Sequence, residues 1–131
     1  MIKILNTLVG LIAVALIAFG FYSVFSVNEL TGITGLRPEG ALGYSEMRAI
    51  YGAFILQGAM MLYGLYNPRL RAPILMIFGL VWAWYVIMRV VSIGFEGYVS
   101  ALSSAFISET IVALLLIAAG WLAREGSESR S

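Results

Sequence analysis

Arg89 and Glu109 are the residues of this chain best placed to do chemistry, because each is a lone charge inside a membrane-length apolar run. Placing an arginine at mid-span in hydrocarbon costs about 2.5 to 3.5 kcal/mol on insertion scales, so intramembrane charges usually face other helices and pair there. Glu46 and Arg48 open another apolar run and supply a second acid and a second cation. Such a cluster can bind an ionic group, move a proton or fix the register of the helices. The pattern predicts a neutral set of four charges and leaves its role open.

The composition places the chain among integral membrane proteins. Its 131 residues are 61% hydrophobic and 11% charged, with a mean hydropathy of +0.94, whereas about a quarter of the residues of a soluble domain are charged. The absence of cysteine and histidine excludes disulfides, thiol chemistry and the common zinc sites. Two intramembrane acids, Glu46 and Glu109, are too few for a carboxylate-only magnesium or calcium site. We therefore expect no metal and no cofactor, and a net charge of +1 without a basic block gives no support for a nucleic-acid partner.

Hydrophobic run lengths predict four transmembrane helices in a single membrane domain over residues 1–131, because about 20 apolar residues cross a bilayer. The predicted spans are residues 4–27, 44–66, 72–95 and 100–123. Ser45 is the predicted N-cap of the second span. The glycine-containing segment 28–43 is predicted to be an outer loop longer than the usual helix connection of about 2 to 8 residues. Whether this loop acts as a lid, with Arg37 reaching the charged cluster, stays open.

The distribution of basic residues predicts the orientation of the bundle. Cytoplasmic loops are enriched in lysine and arginine. The opposite loops of this chain contain only Arg37, whereas one side holds the following five: Lys3, Arg69, Arg71, Arg124 and Arg130. The sequence therefore predicts an antiparallel four-helix transmembrane bundle with both termini in the cytoplasm. In that topology, the four charges of the predicted cluster lie in the outer-leaflet half.

Helical phase adds a glutamine and two aromatic residues to the predicted site. At 3.6 residues per turn, Gln57 shares a face with Glu46, and Trp82 and Tyr85 share a face with Arg89. The two aromatic residues lie near the predicted midplane, away from the interfacial belts where membrane Trp and Tyr usually lie. A cavity floor and ordinary core packing both explain them. Gln57 either faces the site or forms a hydrogen bond between helices.

A short pattern at the start of the second span resembles a known family. Residues 45–52, SEMRAIYG, contain the pattern E-x-R-A-x-Y-G, and a lone Arg and a lone Glu follow in the next two spans. Together they resemble a family of small bacterial four-span membrane proteins, the domain of unknown function 4345, over nearly the whole chain. Ala53 stands where many relatives have a second glycine. The resemblance implies a four-helix fold in the bacterial inner (cytoplasmic) membrane, no known activity, and a shared constellation of Glu46, Arg48, Tyr51, Arg89 and Glu109.

The function that we expect is binding of a lipid-like or amphipathic small ligand, without catalysis. Arg89 and Arg48 would face an anionic or carbonyl group, while aromatic residues line the apolar part of the site. An enzyme has the least support, because no nucleophile with a recognisable base and no phosphate-binding loop occurs. The predicted ligand-binding residues are Glu46, Arg48, Tyr51, Gln57, Trp82, Tyr85, Arg89 and Glu109, and no residue is assigned a catalytic role.

Two other functions remain open. The first is a scaffold or accessory membrane subunit, in which the charges form a structural salt-bridge cluster and the helices bind a second copy or another membrane protein. The second is a proton-coupled small carrier, in which Glu109 or Glu46 exchanges a proton for substrate. The length and four spans resemble small multidrug transporters, but their essential carboxylate lies in the first span, which is uncharged here. Membrane lipids are expected partners under each alternative.

Overall fold

Five helices account for most of the chain in the computed structural model, which describes residues 2–98, 100 and 102–128. Within these residues every regular element is a helix and no strand occurs, which confirms the all-α prediction. Arg130, used above to predict the orientation, lies outside the described residues. In chain order the helices are α1 (Ile2–Phe25), α2 (Val27–Thr34), α3 (Gly40–Tyr66), α4 (Pro68–Glu96) and α5 (Leu102–Glu128).

Four of the helices are long and apolar enough to cross a membrane. They are α1, α3, α4 and α5, with 24, 27, 29 and 27 residues, and about 20 residues are sufficient. Large apolar side chains are exposed along all four, including Leu11, Leu56, Leu80 and Leu114. Exposed apolar surface of this extent is rare on soluble monomers and marks sites of contact with a membrane or with another protein.

The segment between α1 and α3 differs from the prediction in two ways. The loop predicted over residues 28–43 contains the helix α2, because Val27 and Leu30 lie one turn apart and both become buried. The N-cap predicted at Ser45 is wrong, because α3 already begins at Gly40. Gly40 has a φ of 61°, a conformation that glycine adopts readily. The amide of Gly43 then donates to the carbonyl of Glu39 at 3.3 Å, which places Ser45 inside the helix.

The described residues form two compact units, and the first consists of residues 10–62. In this unit, the buried side chains of Val27 and Leu30 on α2 pack with Met47 on α3. Gly58 on α3 lies so close to α1 that an added Cβ would lie 2.4 Å from the carbonyl oxygen of Ala13. The helix α2 is thus held by apolar burial, and α3 approaches α1 through a residue without a side chain.

The second unit comprises residues 1–9 and 63–131, as far as they are described, and α4 and α5 are its main helices. Asn67 caps α4, since its side chain accepts a hydrogen bond from the amide of Arg69 at 3.2 Å. The two helices approach each other closely at two glycines, one on each helix. An added Cβ at Gly79 would lie 2.7 Å from Ile117 Cγ1, and one at Gly120 would lie 3.0 Å from the backbone nitrogen of Met76. This close packing fixes the register of α4 against α5.

Candidate functional site

Arg89 on α4 and Glu109 on α5 form a bidentate ion pair. The guanidinium Nη2 donates to Glu109 Oε1 at 2.8 Å, and Nε donates to Oε2 at 3.2 Å. The Glu109 side chain is 11% exposed and the Arg89 side chain is 39% exposed. Of the two carboxylates predicted as partners of Arg89, Glu109 is thus the one shown to bind it. The Glu109 side chain is therefore the more shielded partner, and part of the Arg89 side chain remains at the protein surface.

The positions of these two residues in their helices bring them to the same level. Arg89 lies seven residues before the end of α4, and Glu109 lies seven residues after the start of α5. At 1.5 Å of rise per residue, each is about 10 Å from the end where the two helices are joined. The register that Gly79 and Gly120 impose therefore places a cation opposite an anion.

An apolar cavity lies one helical turn from the ion pair, towards the joined ends of α4 and α5. Its volume is about 260 Å³. Ile93, four residues after Arg89, and Phe106, three residues before Glu109, line it together with Tyr98, Ser103 and Ile107. The hydroxyl groups of Tyr98 and Ser103 hydrogen-bond to each other, so the lining presents mainly hydrocarbon. The sequence did not predict this cavity, although apolar residues lie one turn from each charge.

Trp82 and Tyr85 form an aromatic pair on α4. Their ring centroids lie 5.5 Å apart at an interplanar angle of 86°, an edge-to-face contact. Trp82 is buried and Tyr85 is half-buried, and neither lines the cavity next to the ion pair. Packing therefore accounts for these two residues as the structure places them.

Arg48 contacts the end of α1. Its Nε donates to the carbonyl oxygen of Val24 at 3.2 Å, and carbonyls in the last turn of a helix favour a nearby cation. Its guanidinium carbon also lies 5.9 Å from the ring centroid of Tyr44. The Tyr44 hydroxyl in turn donates to Asn28 Oδ1 at 2.7 Å. These contacts connect the start of α3 with the end of α1 and with α2, which is a structural role for Arg48.

The other predicted site residues on α3 have different surroundings. The ring centroid of Tyr51 lies 5.9 Å from the ring centroids of Phe19 and Phe54, in edge-to-face contacts. Gln57 is buried, and among the described residues no group forms a hydrogen bond with its Oε1. Glu46 is exposed, and no described residue forms a salt bridge with it.

The structure thus brings together two predicted pairs, Arg89 with Glu109 and Trp82 with Tyr85. The predicted convergence of all four charges stays a prediction. In the part of the chain that the structure describes, no three metal-ligating side chains of the His, Cys, Asp or Glu type lie close enough together to hold an ion.

A comparison with protein families matches nearly the whole chain. The matching family is described as Domain of unknown function (DUF4345), and the match covers residues 4–122. No curated protein and no solved structure matches the chain. The family predicted from the E-x-R-A-x-Y-G pattern is therefore confirmed.

Proposed function

The chain belongs to the family Domain of unknown function (DUF4345), and from this premise we propose that it is a non-enzymatic multi-pass protein of the bacterial cytoplasmic membrane that binds an amphipathic, lipid-like ligand beside Arg89. One observation carries this proposal. The partly exposed side chain of Arg89 lies one helical turn from an apolar cavity of about 260 Å³. Hydrogen-bond donors next to an apolar recess suit a molecule with a polar group and a hydrocarbon part.

The ion pair favours a ligand group that accepts hydrogen bonds. A guanidinium carries five N–H donors in a fixed plane. Glu109 holds this plane in one orientation through two hydrogen bonds, so Arg89 does not have to be ordered when a ligand arrives. Because the carboxylate is the more shielded partner, an approaching molecule meets the cation first. A carbonyl, carboxylate or phosphate oxygen is the matching chemistry.

The cavity suits only part of the ligand. Pockets that enclose a drug-sized molecule have volumes of about 300 to 1,000 Å³, and this cavity is slightly smaller. Ile93, Phe106 and Ile107 offer hydrocarbon contacts to an acyl chain or a ring. The remainder of the ligand then lies along the exposed apolar faces of α4 and α5, as lipid does.

The proposed orientation places both termini in the cytoplasm and the ion pair in the outer-leaflet half of an antiparallel bundle. This orientation is supported by Lys3, Arg69, Arg71 and Arg124, which the topology assigns to one side of the membrane. Attaching a reporter that is active only in the cytoplasm to the C-terminus tests it. Reporter activity is expected, and an inactive but fully expressed fusion contradicts the orientation.

The ligand proposal is tested by extracting and identifying the lipids that copurify with the full chain. The double variant Arg89→Gln/Glu109→Gln removes the cation without leaving a buried carboxylate unpaired, and Ile107→Trp fills the cavity. We expect the double variant to lower the amount of copurifying ligand about tenfold, because a hydrogen bond to a charged group contributes roughly 1.5 to 3 kcal/mol. Ile107→Trp should also lower it, because the indole would occupy the volume that the apolar part of the ligand needs.

Two matched controls separate ligand binding from general effects of the substitutions. Arg69→Gln removes an exposed arginine from the first turn of the same helix, and Ile111→Trp adds the same bulk one turn further along α5. Both should retain the wild-type amount of ligand. An identical set of extracted molecules from all four variants and the wild type would lead us to abandon the proposal.

A scaffold is the second candidate, and the direct, two-bond contact between Arg89 and Glu109 favours it. A buried ion pair of this geometry can act mainly by fixing the arrangement of helices. In that case the function lies in contacts with another membrane protein or a second copy. Crosslinking in native membranes tests this alternative, and recovery of monomer alone counts against it.

A further inference from the structure

A second cavity lies at the start of α3, in the unit formed by residues 10–62. It has a volume of about 460 Å³ and is lined by residues between Leu36 and Ile50. We name it the 36–50 groove. It shares no residue with the cavity beside Arg89, and the function proposed above does not use it.

The 36–50 groove carries charges of both signs on an apolar surface. Arg37, Glu39 and Glu46 line it, and all three are exposed. Glu39 directly precedes the first residue of α3, and Glu46 lies on the face of α3 that lines the groove. Leu42 and Ile50 lie on the same face and are 73% and 62% exposed. The lining therefore offers two anions, one cation and hydrocarbon side by side.

We propose that the 36–50 groove binds the headgroup of a zwitterionic phospholipid that carries a primary ammonium. The ammonium donates hydrogen bonds to the carboxylates of Glu39 and Glu46, and the phosphate accepts from the guanidinium of Arg37. Leu42 and Ile50 contact the acyl chains. The headgroup thereby satisfies charges of both signs in the groove.

Other occupants match this lining less well. An anionic phospholipid gains from Arg37 but faces two carboxylates of its own sign. A quaternary ammonium has no N–H to donate to a carboxylate. A free divalent cation takes six or more oxygen ligands, and it makes no use of the arginine. A primary ammonium joined to a phosphate is the headgroup that complements all three charged residues.

The test compares phospholipids with identical acyl chains and different headgroups. The full chain is stripped of lipid in detergent and titrated with phosphoethanolamine, phosphocholine or phosphoglycerol lipid, and bound lipid is counted by native mass spectrometry. Wild-type protein should bind the phosphoethanolamine lipid most tightly. Glu39→Gln/Glu46→Gln should reduce its preference over the phosphoglycerol lipid by roughly two- to fivefold, because exposed charge pairs contribute little each.

Two further variants make the result specific to the groove. Glu29→Gln removes an exposed acid on α2 that does not line the groove, and it should leave the preference unchanged. Arg37→Gln should weaken binding of all three lipids, because each carries a phosphate. The proposal is overturned by an unchanged preference in the double variant, by an equal loss in Glu29→Gln, or by a wild-type preference for the phosphoglycerol or phosphocholine lipid. None of these variants touches Arg89, so this proposal and the one above fail independently.

Discussion

The ion pair between Arg89 and Glu109 should contribute asymmetrically to stability. When Arg89→Met removes the guanidinium, the carboxylate of Glu109, whose side chain is only 11% exposed, loses both of its hydrogen bonds. Breaking a buried pair in this way costs about 3 to 5 kcal/mol. The exposure of the Arg89 side chain, 39%, means that solvent already screens the pair, so we expect a loss of about 2 to 3 kcal/mol.

Removing the carboxylate instead of the guanidinium should lower the free energy of unfolding by a smaller amount. Glu109→Leu removes the carboxylate, but the partly exposed side chain of Arg89 can still reach water or lipid headgroups. We expect a loss of about 1 kcal/mol, the typical net contribution of a hydrogen bond. The double variant Arg89→Met/Glu109→Leu leaves two apolar side chains in contact and should lie within about 1 kcal/mol of the wild type. A coupling energy of about 3 kcal/mol between the two residues follows.

The free energy of unfolding is measured for the wild type, the two single variants and the double variant. The assay is reversible unfolding in mixed micelles of increasing dodecyl sulfate fraction, with far-ultraviolet circular dichroism as the signal. Arg69→Met is the control, because it removes an exposed arginine near the start of α4, and it should leave the free energy of unfolding within about 0.5 kcal/mol of the wild type. A coupling energy below about 0.5 kcal/mol would refute the reasoning. So would a larger loss from Glu109→Leu than from Arg89→Met.

Four further substitutions test individual contacts of the fold. Gly79→Ala should lower the free energy of unfolding by about 1 to 3 kcal/mol, because the new Cβ would lie 2.7 Å from Ile117 Cγ1. Gly94→Ala on the same helix is the control, because its Cβ would meet nothing within 4 Å. In the same unfolding assay it should be neutral or stabilising by up to about 1 kcal/mol. Asn67→Ala should cost about 1 kcal/mol by removing the N-cap of α4, and equal stability of this variant and the wild type would contradict the capping role. Arg48→Met should speed amide hydrogen exchange in α2 while leaving α4 unchanged. The variant loses the hydrogen bond to the last turn of α1 and the contact with Tyr44, whose hydroxyl donates to Asn28 on α2. Unchanged exchange in α2 would show that Arg48 does not hold this part of the chain.

The sequence by itself determined the class of the protein, its family and the residues worth testing. Run length and apolar composition are local properties, so four helices able to cross a membrane followed from them directly. The lone charges Arg89 and Glu109 were evident for the same reason, since a charge stands out in an apolar run. The helix α2 was missed because its signal is only one turn of apolar spacing, from Val27 to Leu30, in a segment otherwise rich in glycine.

Only the tertiary structure decided how those residues are used. The sequence allowed Arg89 to pair with either Glu109 or Glu46, and the structure shows the contact with Glu109 because close packing at Gly79 sets the register of α4 against α5. The role of Arg48 likewise depends on Val24, which is 24 residues away in the sequence, and the cavity beside Arg89 forms where the joined ends of α4 and α5 meet. Register, carbonyl orientation and empty volume arise from contacts between elements, and no local pattern encodes them.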